Sequence, residues 1–450
     1  MKLNSFHSIY FIGIGGIGMS ALAKYFLTQN KLVYGYDKTS SINTATLEDL
    51  GVEISYSDEI ESIDSRCLDV SKALVVYTPA IPDSNLILNY FISNNFTVLK
   101  RSEVLGIITK DTFCLAVSGT HGKTTTTSIL GHLMFEANQN MTAFLGGISE
   151  NYNSNLIQNG SQATVVEADE FDRSFLKLSP NFACITSMDA DHLDIYGDKE
   201  SLKRSFLDFS KNIASNGKLF VHQSLDIEGG ITYGIESDAD YAAQNIKISE
   251  GAYHFDLKMP HSQLSGFVFH LPGKHNLNNA VAALAMAFEY GCSEENLKKG
   301  LESYKGVQRR FSYKIKEKSF TFIDDYAHHP KEIDAVHQAI VEMHPNRKVT
   351  AVFQPHLFSR TQDFADEFAR SLSVFDAVLL LEIYPARELP ITGVNASWLL
   401  EKITAPFKKL VSKSTLFDAV KKVNNPVLVT MGAGDIGTLV EPLTKELSNG

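Results

Sequence analysis

The stretch "VSGTHGKTTTT", residues 117–127, decides how the chain is read. Gly119-Thr120-His121-Gly122-Lys123-Thr124 follows the apolar run "FCLAV", and "TTTTSILGHLMFE" after it reads as a helix. A glycine-rich turn between a strand and a helix grips phosphate. Small residues leave N–H groups to cradle phosphoryl oxygens, a lysine reaches the terminal phosphates, and a threonine hydroxyl serves magnesium. The strict phosphate-loop pattern would place a glycine at position 117, where the chain has Val117, so the match is partial. Gly119, Thr120, His121, Gly122, Lys123, Thr124 and Thr125 are the candidate nucleotide contacts, with Lys123 as the catalytic cation.

Two downstream strands extend this reading. "ATVVEADE" delivers Glu167 at its tip, where nucleotide-hydrolysing folds hold a second magnesium ligand. "FACITSM" delivers "DADHLD", in which Asp189, Asp191, His192 and Asp194 crowd one loop. Alone, that cluster reads equally as a capped or solvated acidic turn. Beside a phosphate-gripping loop, His192 becomes a candidate ligand for a second metal, together with Thr124 and Glu167.

An earlier loop, "FIGIGGIGMS", carries Gly13-x-Gly15-x-x-Gly18 after an apolar strand and at the start of a helix. Asp37 ends the next strand about 20 residues on, as a dinucleotide fold requires. Gly13, Gly15, Gly16, Gly18, Met19 and Asp37 are candidate contacts for a diphosphate-bearing ligand, since glycines let the backbone approach a pyrophosphate at a helix N-terminus. A nicotinamide dinucleotide is one version of such a ligand. A tight turn that binds nothing is the alternative.

Short apolar runs alternate with amphipathic stretches almost throughout, the pattern of parallel α/β sheets. "SIYFIGI", "KLVYGYD" and "ALVVYTPA" form a first series and "FCLAVSGT", "ATVVEADE" and "FACITSM" a second. A β-rich middle follows, then a helix from Asn276 to about Tyr290. "FTFIDDYAHHP", "KVTAVFQPH", "AVLLLEIYPA" and "PVLVTMGAG" form a third series. At about 150 residues per domain, 450 residues accommodate three. The reading is a Rossmann-like N-terminal domain over 1–107, a phosphate-loop-type central domain over 108–306 and a Rossmann-like C-terminal domain over 307–450.

The net charge of -11, from 52 acids against 41 bases, disfavours nucleic acid as the partner, because phosphate backbones need a basic footprint. The four cysteines, Cys67, Cys114, Cys184 and Cys292, share no metal-binding spacing and suit buried thiols in a reducing cytoplasm. Ile9 to Ala23 loosely imitates a signal peptide, but four glycines interrupt it. No other run is apolar for long enough to suggest a membrane span.

Taken in order, "IGIGGIGMSALA", "SGTHGKTTTT", "VVEADEFDRSFLKLSP", "DADHLDIYG", "PGKHNLNNA", "GVQRRF", "DDYAHHPKEI" and "FQPHLFSRT" resemble the Mur ligases over essentially the whole chain. That family's GT-x-GK-T form accounts for Val117. The resemblance implies an ATP-dependent, amide-bond-forming enzyme of cell-wall precursor synthesis in the cytoplasm. Its implied substrates are UDP-N-acetylmuramate, L-alanine and ATP with Mg2+, and the first glycine loop would hold uridine diphosphate. It further implies that His275, Asn276 and Asn279 hold the adenine end, that Arg310 and Asp325 serve the active site, and that Tyr326 and His356 shape the amino-acid pocket. Ala327 stands where many relatives have glycine. Some relatives complete the metal site with a carbamylated lysine, a role no lysine here is assigned. Residues from three domains in one site imply closure, with "GVQRRF" as the hinge region. His328 and His329 before Pro330 read as a polar helix start, and "MGAGDIG" reads either as an anion loop or as a tight turn.

Overall fold

The computed structural model describes every residue except 1–2, 190–195, 197, 250, 387 and 449–450, together with the side chains at 171, 172 and 199. The fold is mixed α/β with three sheets, each drawn from one stretch of the chain.

The first sheet contains β1 (Ser8–Ile12), β2 (Leu32–Tyr36), β3 (Glu53–Ser55), β4 (Ala73–Tyr77) and β5 (Thr97–Lys100), all parallel, in the order β3-β2-β1-β4-β5. All five residues of β1 are buried, as in a strand covered on both faces. Strand order reverses at β1, and ligands of open α/β sheets bind beyond the strand ends at such a reversal. The first glycine loop occupies that position and leads into α1 (Ile17–Thr28). Helix α2 (Ile42–Asp49) follows β2, and α4 (Arg101–Lys110) follows β5 directly, after α3 (Leu86–Ser93).

The second sheet has ten strands: β6 (Phe113–Ser118), β7 (Met141–Ser149), β8 (Ser154–Gln158), β9 (Ala163–Glu167), β10 (Phe182–Ile185), β11 (Lys218–His222), β12 (Ile231–Ile235), β13 (Tyr241–Ser249), β14 (Ala252–Lys258) and β15 (Gln263–Phe269). β6 lies between β9 and β10, parallel to both. The loop after β6 is therefore flanked by the ends of the two strands that carry the acidic motifs. That loop starts α5 (Lys123–Glu136), whose residues Thr125–Met134 are all buried. A helix apolar or small all round is one enclosed on every side. α5 lies against β6, β7 and β9, and against the helix Glu294–Ser303.

The third sheet contains β16 (Ser312–Lys316), β17 (Thr321–Asp325), β18 (Val349–Phe353), β19 (Ala377–Leu380), β20 (Phe407–Leu410) and β21 (Val427–Met431), in the order β16-β17-β21-β18-β19-β20. Only β16 runs antiparallel to its neighbour.

The chain forms two compact units: Met1–Asn245 with Phe255–Phe267 and Asn278–Tyr304, and Ile246–His254 with Val268–Leu277 and Lys305–Gly450. The first unit includes the first sheet and the whole surround of α5. One apolar cluster runs through it, from Phe11 and Phe26 to Phe144, Val166, Phe175 and Phe206. A buried polar group adds a directional tie: Lys24 Nζ donates to Asn155 Oδ1 at 2.9 Å, and Asn155 Nδ2 donates to Ile17 O and Ser20 Oγ. Satisfied in this way, the polar atoms fix how α1 meets β8. No described helix is long and apolar enough to cross a membrane.

Candidate active site

Backbone geometry at the 119–122 turn demands glycine twice. Gly122 caps α5 in the left-handed region at φ 83°, and a Cβ there would stand 2.5 Å from Asn279 Oδ1. Gly119 has φ +132°, and a side chain would run into Thr186 Oγ1. The turn is laced to the end of β10. Thr120 N donates to Ser187 O at 3.2 Å, His121 N to Ser187 Oγ at 2.8 Å, and Thr186 Oγ1 to His121 O at 2.5 Å. Two N–H groups of the expected cradle are thus already occupied. The first turn of α5 has no side-chain cap, which leaves the N–H groups of Lys123, Thr124 and Thr125 without an intrahelical acceptor.

Lys123 Nζ donates to Gly119 O at 2.7 Å and to Glu170 Oε1 at 2.8 Å. The Glu170 side chain is only 1% exposed. Burial pushes its carboxyl above the usual range, and Lys123 opposes that shift. Sequence reading missed Glu170, although it is the last acid of "EADE", three residues after Glu167. Glu167 accepts from Gly146 N at 2.7 Å, and any side chain on Gly146 would run into the Glu167 carboxylate. Burial raises the Glu167 carboxyl. Gly146 N–H opposes the shift most, followed by Lys123 and a hydrogen bond with Thr124. Lys123, Thr124 and Glu167 are therefore brought together. Hydroxyl and carboxylate oxygens are the hard donors that magnesium takes.

His192, Asp191 and Asp194 lie outside the described residues. Asp189 Oδ2 stands 3.6 Å from His121 Nε2. Among the described residues, no three metal-ligating side chains gather at one point.

In the first loop, Gly13 has φ +84° and donates to Tyr36 O at 2.7 Å. Asp37 is committed to the backbone: Oδ2 accepts from Gly15 N at 2.8 Å and Oδ1 from Thr39 N at 3.2 Å. Asn43 Nδ2 donates to Gly15 O at 2.8 Å. Gly16 caps α1 without a side-chain hydrogen bond. Gly16, Gly18 and Met19 line a cavity of about 380 Å³ whose lining also includes Glu167 and Asp169.

In the second compact unit, Asp325 ends β17 and accepts from Phe311 N and Ala327 N, each at 2.7 Å. Burial raises its carboxyl to about 6 against the opposing charge of Arg310. The guanidinium of Arg310 lies 5.3 Å from the Tyr326 ring centre and that of Arg309 lies 5.1 Å from it. Aromatic contacts continue from Tyr326 to His328 at 5.4 Å, to His356 at 6.1 Å and to Tyr384 at 5.7 Å. Tyr326, His356 and Arg310 thus share one row of rings and cations. His275 stands in the field of Arg310, and its imidazole is pushed down to about 4, first by burial and then by that charge. Asn276 Nδ2 donates to Pro272 O at 2.6 Å, whereas Asn279 stands against Gly122 in the first unit.

His329 caps the helix Pro330–Met343, and Glu332 accepts from the N–H groups of His328 and His329, a polar helix start. The "MGAGDIG" loop is closed on protein groups: Ile436 N donates to Gln354 Oε1 at 2.8 Å and Arg309 Nη2 to Gly432 O at 2.6 Å. It is a tight turn.

Three family models match in sequence: "Mur ligase family, catalytic domain" over residues 8–112, "Mur ligase middle domain" over 117–287 and "Mur ligase, glutamate ligase domain" over 309–434. The chain belongs to the Mur ligase family. It is 58% identical over 447 residues, 99% of both chains, to the UDP-N-acetylmuramate–L-alanine ligase of Flavobacterium psychrophilum. It is 56% identical to the protein of that name from Christiangramia forsetii, over 99% of this chain and 98% of that one. Among solved structures, the UDP-N-acetylmuramate-alanine ligase of Thermotoga maritima superposes with a TM-score of 0.84 at 27% identity, covering 98% of this chain and 99% of that chain. A murein peptide ligase of Psychrobacter arcticus shares the fold, with a TM-score of 0.69 at 21% identity over 99% of both chains.

Proposed function

We propose that this chain joins L-alanine to the lactyl carboxylate of UDP-N-acetylmuramate at the expense of ATP, as a cytoplasmic step in making peptidoglycan precursors. The observation that carries the reading is full-length identity of 54–58% to three proteins bearing that ligase name. The convergence of Lys123, Thr124 and Glu167 at the start of α5 supports it chemically. In this reading residues 1–107 hold the UDP-sugar, 108–306 hold ATP and 307–450 hold the amino acid.

A carboxylate and an amine do not condense in water unaided, so the carboxylate is activated first. A lactyl carboxylate oxygen attacks the γ-phosphorus, the bond to the ADP oxygen breaks, and an acyl phosphate forms. The alanine nitrogen, having lost its proton, then attacks the acyl carbon. Phosphate departs with the former carboxylate oxygen, leaving an amide. Lys123 and the uncapped first turn of α5 bind the transferring phosphoryl group, and charge stabilisation with positioning is most of what a protein supplies here. Thr124, Glu167 and His192 would hold Mg2+, which would spread negative charge from the phosphoryl oxygens. His275, Asn276 and Asn279 are assigned to the adenine end, Arg310 and Asp325 to the active site, and Tyr326 and His356 to the alanine pocket.

The test is phosphate release from ATP with magnesium and UDP-N-acetylmuramate, adding L-alanine or the L-alanyl-γ-D-glutamyl-diaminopimelate tripeptide separately. Release that requires L-alanine is the expected result. Release with the tripeptide alone would move the assignment to a recycling ligase. Oxygen-18 in the lactyl carboxylate should emerge in phosphate, and its absence would remove the acyl phosphate.

A further inference from the structure

The cavity beside the first glycine loop presents an electrostatic problem. Its lining includes two carboxylates, Glu167 and Asp169, yet the proposed occupant is itself an anion. Like charges within several ångströms of one another repel at the effective dielectric of a protein site. The glycines and the α1 N-terminus offset only part of that, since a helix end contributes about half an elementary charge.

Among the described residues, one cation lines the same cavity. Arg101, first residue of α4, reaches across to α1, so that a Cβ on Gly18 would stand 2.8 Å from its Nη1 and 3.2 Å from its Cζ. It also lines the smaller neighbouring cleft with Ser102, Glu167 and Asp169. Among the described residues, its guanidinium has no carboxylate within ion-pair distance and no hydrogen-bond acceptor. The position is built: β5 ends at Lys100, and Glu103 accepts from Lys100 N at 2.9 Å, which fixes the start of α4. Gly18 leaves the space that the guanidinium fills.

We propose that Arg101 is a substrate-binding residue that grips the diphosphate of the sugar nucleotide. The guanidinium and the first turn of α1 hold the diphosphate from two sides. A planar fork suits phosphate oxygens, and a cation at this point offsets carboxylate charge on the cavity lining. This rests on the ligase reading above.

The experiment measures binding by calorimetry with two probes, UDP-N-acetylmuramate and its lactyl methyl ester, to the wild type, R101A and R101K. Losing one charge-assisted contact should weaken binding of both probes by about 10- to 100-fold in R101A, with partial recovery in R101K. KM for ATP should stay unchanged, which a merely structural defect would not allow. Equal affinity of R101A and wild type for both probes overturns the proposal. Loss confined to the free acid also overturns it, because Arg101 would then hold the carboxylate. If the wild type binds neither probe, the ligase reading itself fails. Thermal unfolding of R101A checks the fold, and R101Q, which keeps the planar end without the charge, replaces it if R101A does not fold.

Discussion

Replacing Lys123 should damage two separate properties, and the ion pair with Glu170 is what separates them. In Lys123→Ala the phosphate loop loses its cation, so ligation should fall by at least about 1,000-fold, the scale of a cation aimed at a transferring phosphoryl group. The Glu170 carboxylate, 1% exposed, simultaneously loses its partner at 2.8 Å. Breaking a fully buried pair costs about 3–5 kcal/mol. Lys123 is 16% exposed, so water can reach the vacated position and a cost of about 2–3 kcal/mol is the better figure. At about 2.1 cal/mol/K of unfolding entropy per residue, a unit of this size shifts by roughly 1–2 °C per kcal/mol, so calorimetry without nucleotide should show melting lowered by about 3–5 °C. Adding Glu170→Gln removes the stranded charge, so the double variant should regain most of the stability and none of the activity. The cycle over both positions should give a coupling of about 2 kcal/mol. A Lys123→Ala protein that melts like wild type, with coupling under about 0.5 kcal/mol, would refute the ion pair.

Three further outcomes follow from the same geometry. Gly146→Ala drives a methyl group into the Glu167 carboxylate, and displacing that group from Thr124 should lower kcat by about 100-fold while melting changes little. His132, on α5, is held between Tyr152 Oη at 2.7 Å and Ser303 Oγ at 3.0 Å, and burial pushes it from 6.5 down to about 4. The unfolded chain binds the extra proton between those values, so this contribution is complete above pH 6.5 and is lost as pH falls towards 4. At 1.36 kcal/mol per pH unit it amounts to about 3 kcal/mol, and His132→Gln should flatten the dependence of urea stability on pH by that amount relative to wild type. An unchanged slope would show that the imidazole is not buried neutral. All four cysteines are free and buried, with thiols pushed up to about 12 at Cys67, Cys114 and Cys184 and about 11 at Cys292, so a disulfide reagent at neutral pH should find no fast thiol until the chain is unfolded.

What the sequence disclosed and what it concealed divide along physical lines. The phosphate loop, β9 with Glu167 and the Gly13–Gly18 turn were legible because strand, glycine and charge stand within a few residues of one another, and α/β architecture follows from such units in series. Strands β5 and β20 were passed over: "TVLK" and "FKKL" are four-residue edge strands with no fully buried position, so they carry no apolar run. Contacts that depend on separate stretches meeting in space were illegible. Asp37 sits where the glycine-loop pattern expects a ligand contact, yet both its oxygens bind the backbone of its own unit, a fact set by how the turn after β2 folds back on Gly15. Glu170 looked like one more acid in an acidic run until burial singled it out. Arg101 is the sharpest case, for nothing in "KRSEVL" distinguishes it from a solvated helix start. It acquires meaning only because the parallel strands β5 and β1 end on the same side of the sheet, where the glycine loop lies, and because β9 brings Glu167 to the same cavity. Loop motifs therefore announce which phosphates a chain of this kind can hold, while the packing of its sheets decides which charges make that binding possible.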